Sequence, residues 1–207
     1  MGSLNRRKQL LCHIVDECSL SVQAHPFCTH PVSSDLDDGW RDITFKDLST
    51  SVDNLSWWIE KNIGRGSSGS GPIAYLGIND VRYTVFVLAC MKTGHVVSLL
   101  LSLFFFSSFF CVNLILSQQA FFPSPRNSKA ALIHLLEGTG CSKFLYSPER
   151  HSLVVDLQSV DASIKAWKVP GLWELIDSPA DFYPCDRQFK DSENETGLIV
   201  HSSGTTG

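Results

Sequence analysis

Polar and apolar positions along the chain change period several times, and each change marks an element. Trp40 to Phe45 alternates as a strand does, and Thr44-Phe45-Lys46-Asp47 then opens a helix whose apolar positions Leu48, Val52, Leu55, Trp58 and Ile59 recur at helical spacing. The helix is expected to stop near Asn62-Ile63-Gly64, with glycine as the terminator. Gly64 to Gly71 is small and polar and reads as a flexible surface loop. Pro72 to Ile78 is a nearly unbroken apolar run, the mark of a strand buried on both faces. Asn79 and Asp80 are placed to cap a helix carrying Tyr83, Val85, Phe86, Leu88, Ala89 and Met91. Strand, capped helix and further strand predict a right-handed βαβ unit of a parallel sheet.

The next strand is expected after Lys92-Thr93-Gly94, yet Val96 to Gln118 instead runs 23 residues without a charge, dominated by Leu, Phe, Ser and Val. About 20 apolar residues span a bilayer, so the segment is long enough for a membrane helix, although five serines, Asn113 and Gln118 weaken that reading. Beyond it the βα rhythm resumes. Ala120 to Pro123 reads as a short strand, and Ser128 to Gly138 as a helix through Ala131, Leu132, Leu135 and Leu136. Cys141 to Tyr146 reads as a strand, His151 to Trp167 as at least partly helical, and Gly171 to Ile176 as an apolar run able to pair. Ser178 to Glu195 reads as an acidic surface connection, and Gly197 to His201 as a strand feeding the segment Ser202 to Gly207. Ahead of all this, residues 1–39 form a lead-in, with a short helix over Arg6 to Glu17 and a loop through Pro31 to Gly39.

Composition narrows the classes. With 207 residues, 43% of them hydrophobic, the chain is long enough to build one sizeable core. A net charge of -4 and the lack of a basic stripe with interleaved aromatics argue against nucleic-acid binding. Seven cysteines, an odd number and widely spaced, are unlike a secreted disulfide framework and fit reduced thiols in a cytoplasmic protein. Cys12, Cys18 and Cys28 lie near His13, His25 and His30, but their spacings match no zinc pattern, so no metal site is expected. Arg6 stands where a myristoylation signal wants Ser or Thr, and the apolar run Gln9 to Val15 is too short and broken for a signal peptide.

Chemistry concentrates at the end of the sequence. A strand delivering the chain into Ser202-Ser203-Gly204-Thr205-Thr206-Gly207 suits polyphosphate: glycines let backbone N–H groups approach the oxygens, and the hydroxyls add donors. It is not a Walker A loop, since no Lys follows the second glycine. A cluster of Gly, Ser and Thr is also an ordinary turn.

The context of that cluster favours the first reading. Leu198-Ile199-Val200-His201-Ser202-Ser203-Gly204-Thr205-Thr206-Gly207 is similar to the signature loop of the adenylate-forming superfamily, which holds acyl-CoA synthetases, luciferases and peptide-synthetase adenylation domains. The Pro-Lys pair with which that motif continues is absent. A second match is Ala89 to His95 joined directly to Gln119-Ala120-Phe121-Phe122-Pro123-Ser124-Pro125-Arg126-Asn127-Ser128, whose wording resembles fungal peptide-synthetase-like adenylating reductases. The resemblance covers residues 40–95 and 119–207 and divides the chain into a lead-in, 1–39, and a partial adenylation domain, 40–207, with an apolar insertion over 96–118. A translated, unspliced intron accounts for such an insertion: Val codons begin with GT, Gln can be encoded by CAG, and Phe, Leu and Ser codons are pyrimidine-rich. A membrane span and a buried hydrophobic hairpin remain the alternatives.

The resemblance implies an α/β fold of βα units around a mostly parallel sheet, the truncated N-terminal part of the adenylate-forming fold. It implies ATP with Mg2+ as cofactor, a small carboxylic acid as partner of the intact enzyme, and phosphopantetheine only on a carrier domain outside this chain. Ser202, Ser203, Gly204, Thr205, Thr206 and Gly207 would contact the ATP phosphates while the carboxylate attacks the α-phosphorus. No catalytic residue is assigned, and the chain by itself is expected to be inactive in what resembles fungal secondary metabolism. The competing reading is a single-pass membrane-anchored protein with its span at 96–118.

Overall fold

A computed structural model of the chain describes residues 9–67, 70–78, 80–95, 97–100, 133–134, 137–138, 140–141, 143–192 and 198–199. The predicted strand at Ala120 to Pro123 lies outside them, and of the predicted helix over Ser128 to Gly138 only 133–134 and 137–138 fall inside, as helix.

Helix α1 (Leu11–Ser21) starts later than the pattern predicts and runs four residues further. It is followed by an antiparallel pair, β1 (Pro26–Pro31) and β2 (Trp40–Thr44), joined through a 3-10 turn at Leu36–Asp38. Strand β1 is a correction to the expected irregular lead-in; its His, Cys and Pro content hid a strand that exists because β2 lies beside it. The β1 backbone gains its partners only in three dimensions.

Helix α2 (Phe45–Asn62) begins on a reciprocal cap. The Thr44 hydroxyl accepts the Asp47 N–H at 3.2 Å, while the Asp47 carboxylate accepts the Thr44 N–H at 2.9 Å. Leu48, Val52, Leu55 and Ile59 form its buried stripe, as the spacing predicts.

A second, five-stranded sheet is wholly parallel and carries the main core. Its strands are β3 (Ile73–Leu76), β4 (Val97–Leu100), β5 (Lys143–Tyr146), β6 (Lys165–Lys168) and β7 (Leu198–Ile199), in the spatial order β6-β5-β3-β4-β7. Helix α3 (Arg82–Thr93) links β3 to β4, and α4 (His151–Val160) links β5 to β6. These crossovers leave the centre of the sheet in opposite directions. Right-handed units running opposite ways put their helices on opposite faces, and the strand alternation agrees. Ile73, Tyr75 and Leu145 pack with α2 and α3, whereas Ala74, Leu76, Phe144 and Tyr146 pack with Val154 and Leu157 of α4. Burial on both faces explains the unbroken apolar run of β3.

Four further expectations are corrected or narrowed. Gly171 to Ile176 is not a pairing strand; Leu172–Asp177 is a helix, α5, because Leu172, Leu175 and Ile176 fall at one, four and five, a helical stripe. The stretch His151 to Trp167, read as at least partly helical, is helical over His151–Val160, and Lys165–Lys168 is strand β6. The Ser178 to Glu195 connection is not merely a surface path: Tyr183 is completely buried, and Phe189–Ser192 forms a short helix, α6.

The fourth concerns Gly64 to Gly71, which does not simply float on the surface. The Gly66 N–H donates to the Thr93 carbonyl at 2.8 Å, and a Cβ on Gly66 would lie 2.0 Å from the Gly94 carbonyl oxygen. Gly94 itself ends α3 in the left-handed conformation at φ +77°. Two glycines meet here because no side chain fits between their backbones.

The apolar segment also departs from expectation at its start. Val97–Leu100 supplies β4, in register with Ile73–Leu76, so the βα rhythm is unbroken at this point. That counts against a membrane helix over 96–118: backbone groups paired to β3 on one side and β7 on the other are not available to a helix. Among the described residues no helix is long and apolar enough to cross a membrane. Residues 101–118 lie outside the described residues.

Candidate functional site

Because all five strands of the large sheet run parallel, their C-terminal ends share one edge. In open α/β sheets, ligands bind at that edge, where the crossovers diverge to opposite faces. Here the divergence lies between β3 and β5, and the segments leaving those strands are tied together by charge. Arg82, at the start of α3, places Nη2 2.7 Å from Asp80 Oδ2 and 2.9 Å from Glu149 Oε1, with its Nη1 3.2 Å from Glu149 Oε2. Asp80 also accepts the Arg82 backbone N–H at 2.9 Å, but the expected cap is corrected: the N-cap position of α3 is Val81, which has no side-chain cap, and Asn79 lies outside the described residues.

Arg82 is almost wholly buried, which works to lower its pKa, but the hydrogen bonds to Asp80 and Glu149 prevail and the guanidinium is held above its ordinary value. Glu149 lies in the 3-10 turn after β5. Its burial opposes ionisation, yet Arg82 holds its carboxyl below the usual range. Arg150 completes the link by donating from Nε to the Gly77 carbonyl at 3.1 Å. The arrangement fixes the mouth between β3 and β5, with Arg82 committed to two carboxylates.

Strand β7 pairs with β4 in parallel, Val97 with Leu198 and Ser98 with Ile199, and so exits at the same edge. Ser202 follows Ile199 by three residues. The predicted phosphate-contacting residues, Ser202, Ser203, Gly204, Thr205, Thr206 and Gly207, lie outside the described residues.

Two buried polar clusters escaped the sequence reading. On the α1–α2–α3 face, Lys92 Nζ lies 2.7 Å from Asp16 Oδ1 and 2.7 Å from Asp53 Oδ1, joining the three helices. Burial raises the Asp53 carboxyl, and Lys92 opposes that shift; Lys92 is itself held in its charged form by the two carboxylates against its own burial. A lysine and two aspartates on amphipathic helices read as solvated until the helices are packed together. Beside them, Cys12 Sγ lies 3.9 Å from Cys185 Sγ, and a His13 ring nitrogen is 3.2 Å from the Cys185 carbonyl oxygen. Sequence proximity instead grouped Cys12 with Cys18 and Cys28; Cys28 packs elsewhere, against Ile43, Leu172 and Ile176.

No family model matches the chain. In sequence it is 27% identical to a carboxylic acid reductase of Neurospora crassa, across 97% of this chain and 17% of that protein. It is 26% identical to a non-canonical non-ribosomal peptide synthetase of Acremonium egyptiacum over 95% of the chain, and 25% identical to an isocyanide synthase-NRPS hybrid of Aspergillus fumigatus over 81%. The chain spans 17%, 17% and 10% of the lengths of these curated relatives.

Solved structures at low identity share the fold. McyG A-PCP complexed with phenylalanyl-adenylate matches 96% of the chain at TM-score 0.62 and 14% identity, the chain covering 27% of it. MbtA of Mycobacterium smegmatis matches 97% of the chain at TM-score 0.59 and 15% identity, with 32% of MbtA covered. The N-terminal domain of FACL13 from Mycobacterium tuberculosis matches 96% at TM-score 0.59 and 14% identity, with 42% covered. In sequence the chain is thus similar to fungal carboxylic acid reductase and peptide-synthetase-like enzymes, and its α/β fold is that of the N-terminal part of adenylate-forming enzymes.

Proposed function

We propose that the chain is the N-terminal part of an ATP-dependent enzyme of fungal secondary metabolism that activates a carboxylic acid as its acyl-adenylate. Residues 1–39 are its lead-in and 40–207 a partial adenylation domain. In the whole protein a substrate carboxylate oxygen attacks the α-phosphorus of ATP, the bond to the β-phosphate oxygen breaks, and pyrophosphate leaves. Ser202 to Gly207 bind the phosphates: their backbone N–H groups and the hydroxyls of Ser202, Ser203, Thr205 and Thr206 stabilise the negative charge without proton transfer. Mg2+ supplies further charge neutralisation when bound with the nucleotide. The rest of the chain builds the platform. The chain is proposed to be inactive by itself and its location to be cytoplasmic.

The single observation carrying this reading is the parallel pairing of β7 with β4, which brings Ile199 to the ligand-binding edge of the sheet three residues before Ser202. Sequence similarity to the fungal enzymes supports it over about the whole chain. The test is carboxylic-acid-dependent exchange of labelled pyrophosphate into ATP by the protein encoded by the complete transcript, sequenced across codons 95 to 119 and past codon 207. Exchange that falls on the order of 100-fold in a Thr205→Ala/Thr206→Ala variant supports the assignment. An intact, folded product that shows no exchange with a broad panel of acids, and binds no ATP, overturns it.

A further inference from the structure

We propose that Cys12, His13 and Cys185 are a ligand set for one zinc-like divalent cation, clamping the segment after α5 onto helix α1. The inference is independent of the adenylation reading. It rests on the adjacent Cys12 and His13 and on Cys185, more than 170 residues further on, brought so close that their ligand atoms lie within 4.8 Å of one another.

The geometry suits the cation without large movement. Tetrahedral zinc with Zn–S bonds of about 2.3 Å places its two sulfurs about 3.8 Å apart; the Cys12 and Cys185 sulfurs are 3.9 Å apart. A disulfide, by contrast, requires the sulfurs to close to about 2.05 Å. Two thiolates and an imidazole are donors that favour zinc over magnesium or calcium, which take oxygen ligands. Cys12 is fully buried, whereas His13 and Cys185 are only partly so, and a fourth ligand would be supplied by water.

Charge also balances. A divalent cation with two thiolates is neutral, and the positive charge of the nearby Lys92 ammonium is more than offset by Asp16 and Asp53 at 2.7 Å each, so it does not oppose a cation. The consequence is structural. Cys185 follows the buried Tyr183 by two residues, and the Tyr183 carbonyl lies 3.5 Å from Lys92 Nζ, so a bound cation would fasten this path where it crosses the helical layer.

The experiment is titration of the reduced full chain with Co(II), read by visible absorption, followed by displacement with Zn(II). The expected result is one Co(II) per chain with the intense bands of tetrahedral thiolate coordination, lost on adding Zn(II). The signal should vanish in Cys185→Ser and weaken in His13→Gln, while Cys28→Ser keeps it. Circular dichroism of metal-free Cys185→Ser separates loss of ligand from loss of fold: if that variant unfolds, His13→Gln, on the exposed side, decides. The proposal is overturned if wild type shows no thiolate–cobalt bands. It is equally overturned if Cys185→Ser and His13→Gln bind as wild type does, or if mass spectrometry of protein kept under reductant finds Cys12 and Cys185 joined as a disulfide.

Discussion

Lys92 and Asp53 form an ion pair inside the helical layer: the ammonium lies 2.7 Å from the carboxylate, and the lysine side chain has no exposed surface. Asp16 of α1 reaches the same ammonium, so one cation joins α1, α2 and α3. Removing one member of a buried pair strands the other, whereas replacing both by apolar side chains is often near neutral. Lys92→Met is expected to cost about 3–5 kcal/mol. Adding Asp53→Leu should recover part of that loss, the less deeply buried Asp16 carboxylate still lacking its partner, and guanidinium midpoints of the single and double variants check it. Additive losses would show that the two residues act separately.

Gly66 provides a test of backbone packing. An alanine there would bring a methyl carbon to 2.0 Å from the Gly94 carbonyl oxygen, and that neighbour is backbone with nowhere to rotate. Gly66→Ala is expected to destabilise by about 1–3 kcal/mol. Gly138→Ala, which meets nothing within 4 Å, should stay near wild type in the same urea titration. Equal midpoints for the two would sink the close-packing account.

His95 predicts a pH dependence. Its Nε2–H donates to the Gly64 carbonyl at 2.9 Å, and the buried ring resists charging. Burial lowers its pKa below the ordinary 6.5; the Gly64 carbonyl opposes this, and the Lys143 charge adds to it. The unfolded chain therefore takes up this proton first as pH falls. Stability from His95 is complete above about pH 6.5 and declines below it, at no more than about 1.4 kcal/mol per pH unit, until the folded pKa is passed. Thermal melts from pH 7.5 to 5 should show this decline, and His95→Gln should flatten it.

Arg82 predicts that lysine is no substitute for a planar fork. Its guanidinium engages Asp80 and Glu149 at once, through two nitrogens on each carboxylate. Arg82→Lys keeps the charge but loses that geometry in a buried setting, and is expected to cost about 1–3 kcal/mol. Glu149→Gln should cost less, since Glu149 is partly exposed and its pairing is screened by solvent. Denaturant midpoints decide between this order and its reverse.

What the amino-acid sequence determined by itself was local and periodic. The capping box at Thr44 and Asp47, the stripe from Leu48 to Ile59, and the continuous apolar runs that became β3 and β5 follow from spacing and residue type within one segment. The resemblance to adenylate-forming enzymes came from other short stretches, Ala89 to His95 with Gln119 to Ser128 and Leu198 to Gly207, and comparison of the folds agrees with it. Tertiary structure decided the rest. Strands β1, β4 and β6 carry weak or misleading patterns and are strands because a neighbour offers its backbone hydrogen bonds. The charges on Asp16, Asp53, Arg82 and Lys92 look like solvated faces until the packed helices and strands exclude water around them. Cys185 meets Cys12 and His13 only because the path beyond α5 returns to the first helix. Periodicity reports which side of an element is apolar; which elements meet is set by burying those sides together, over separations that no local pattern encodes.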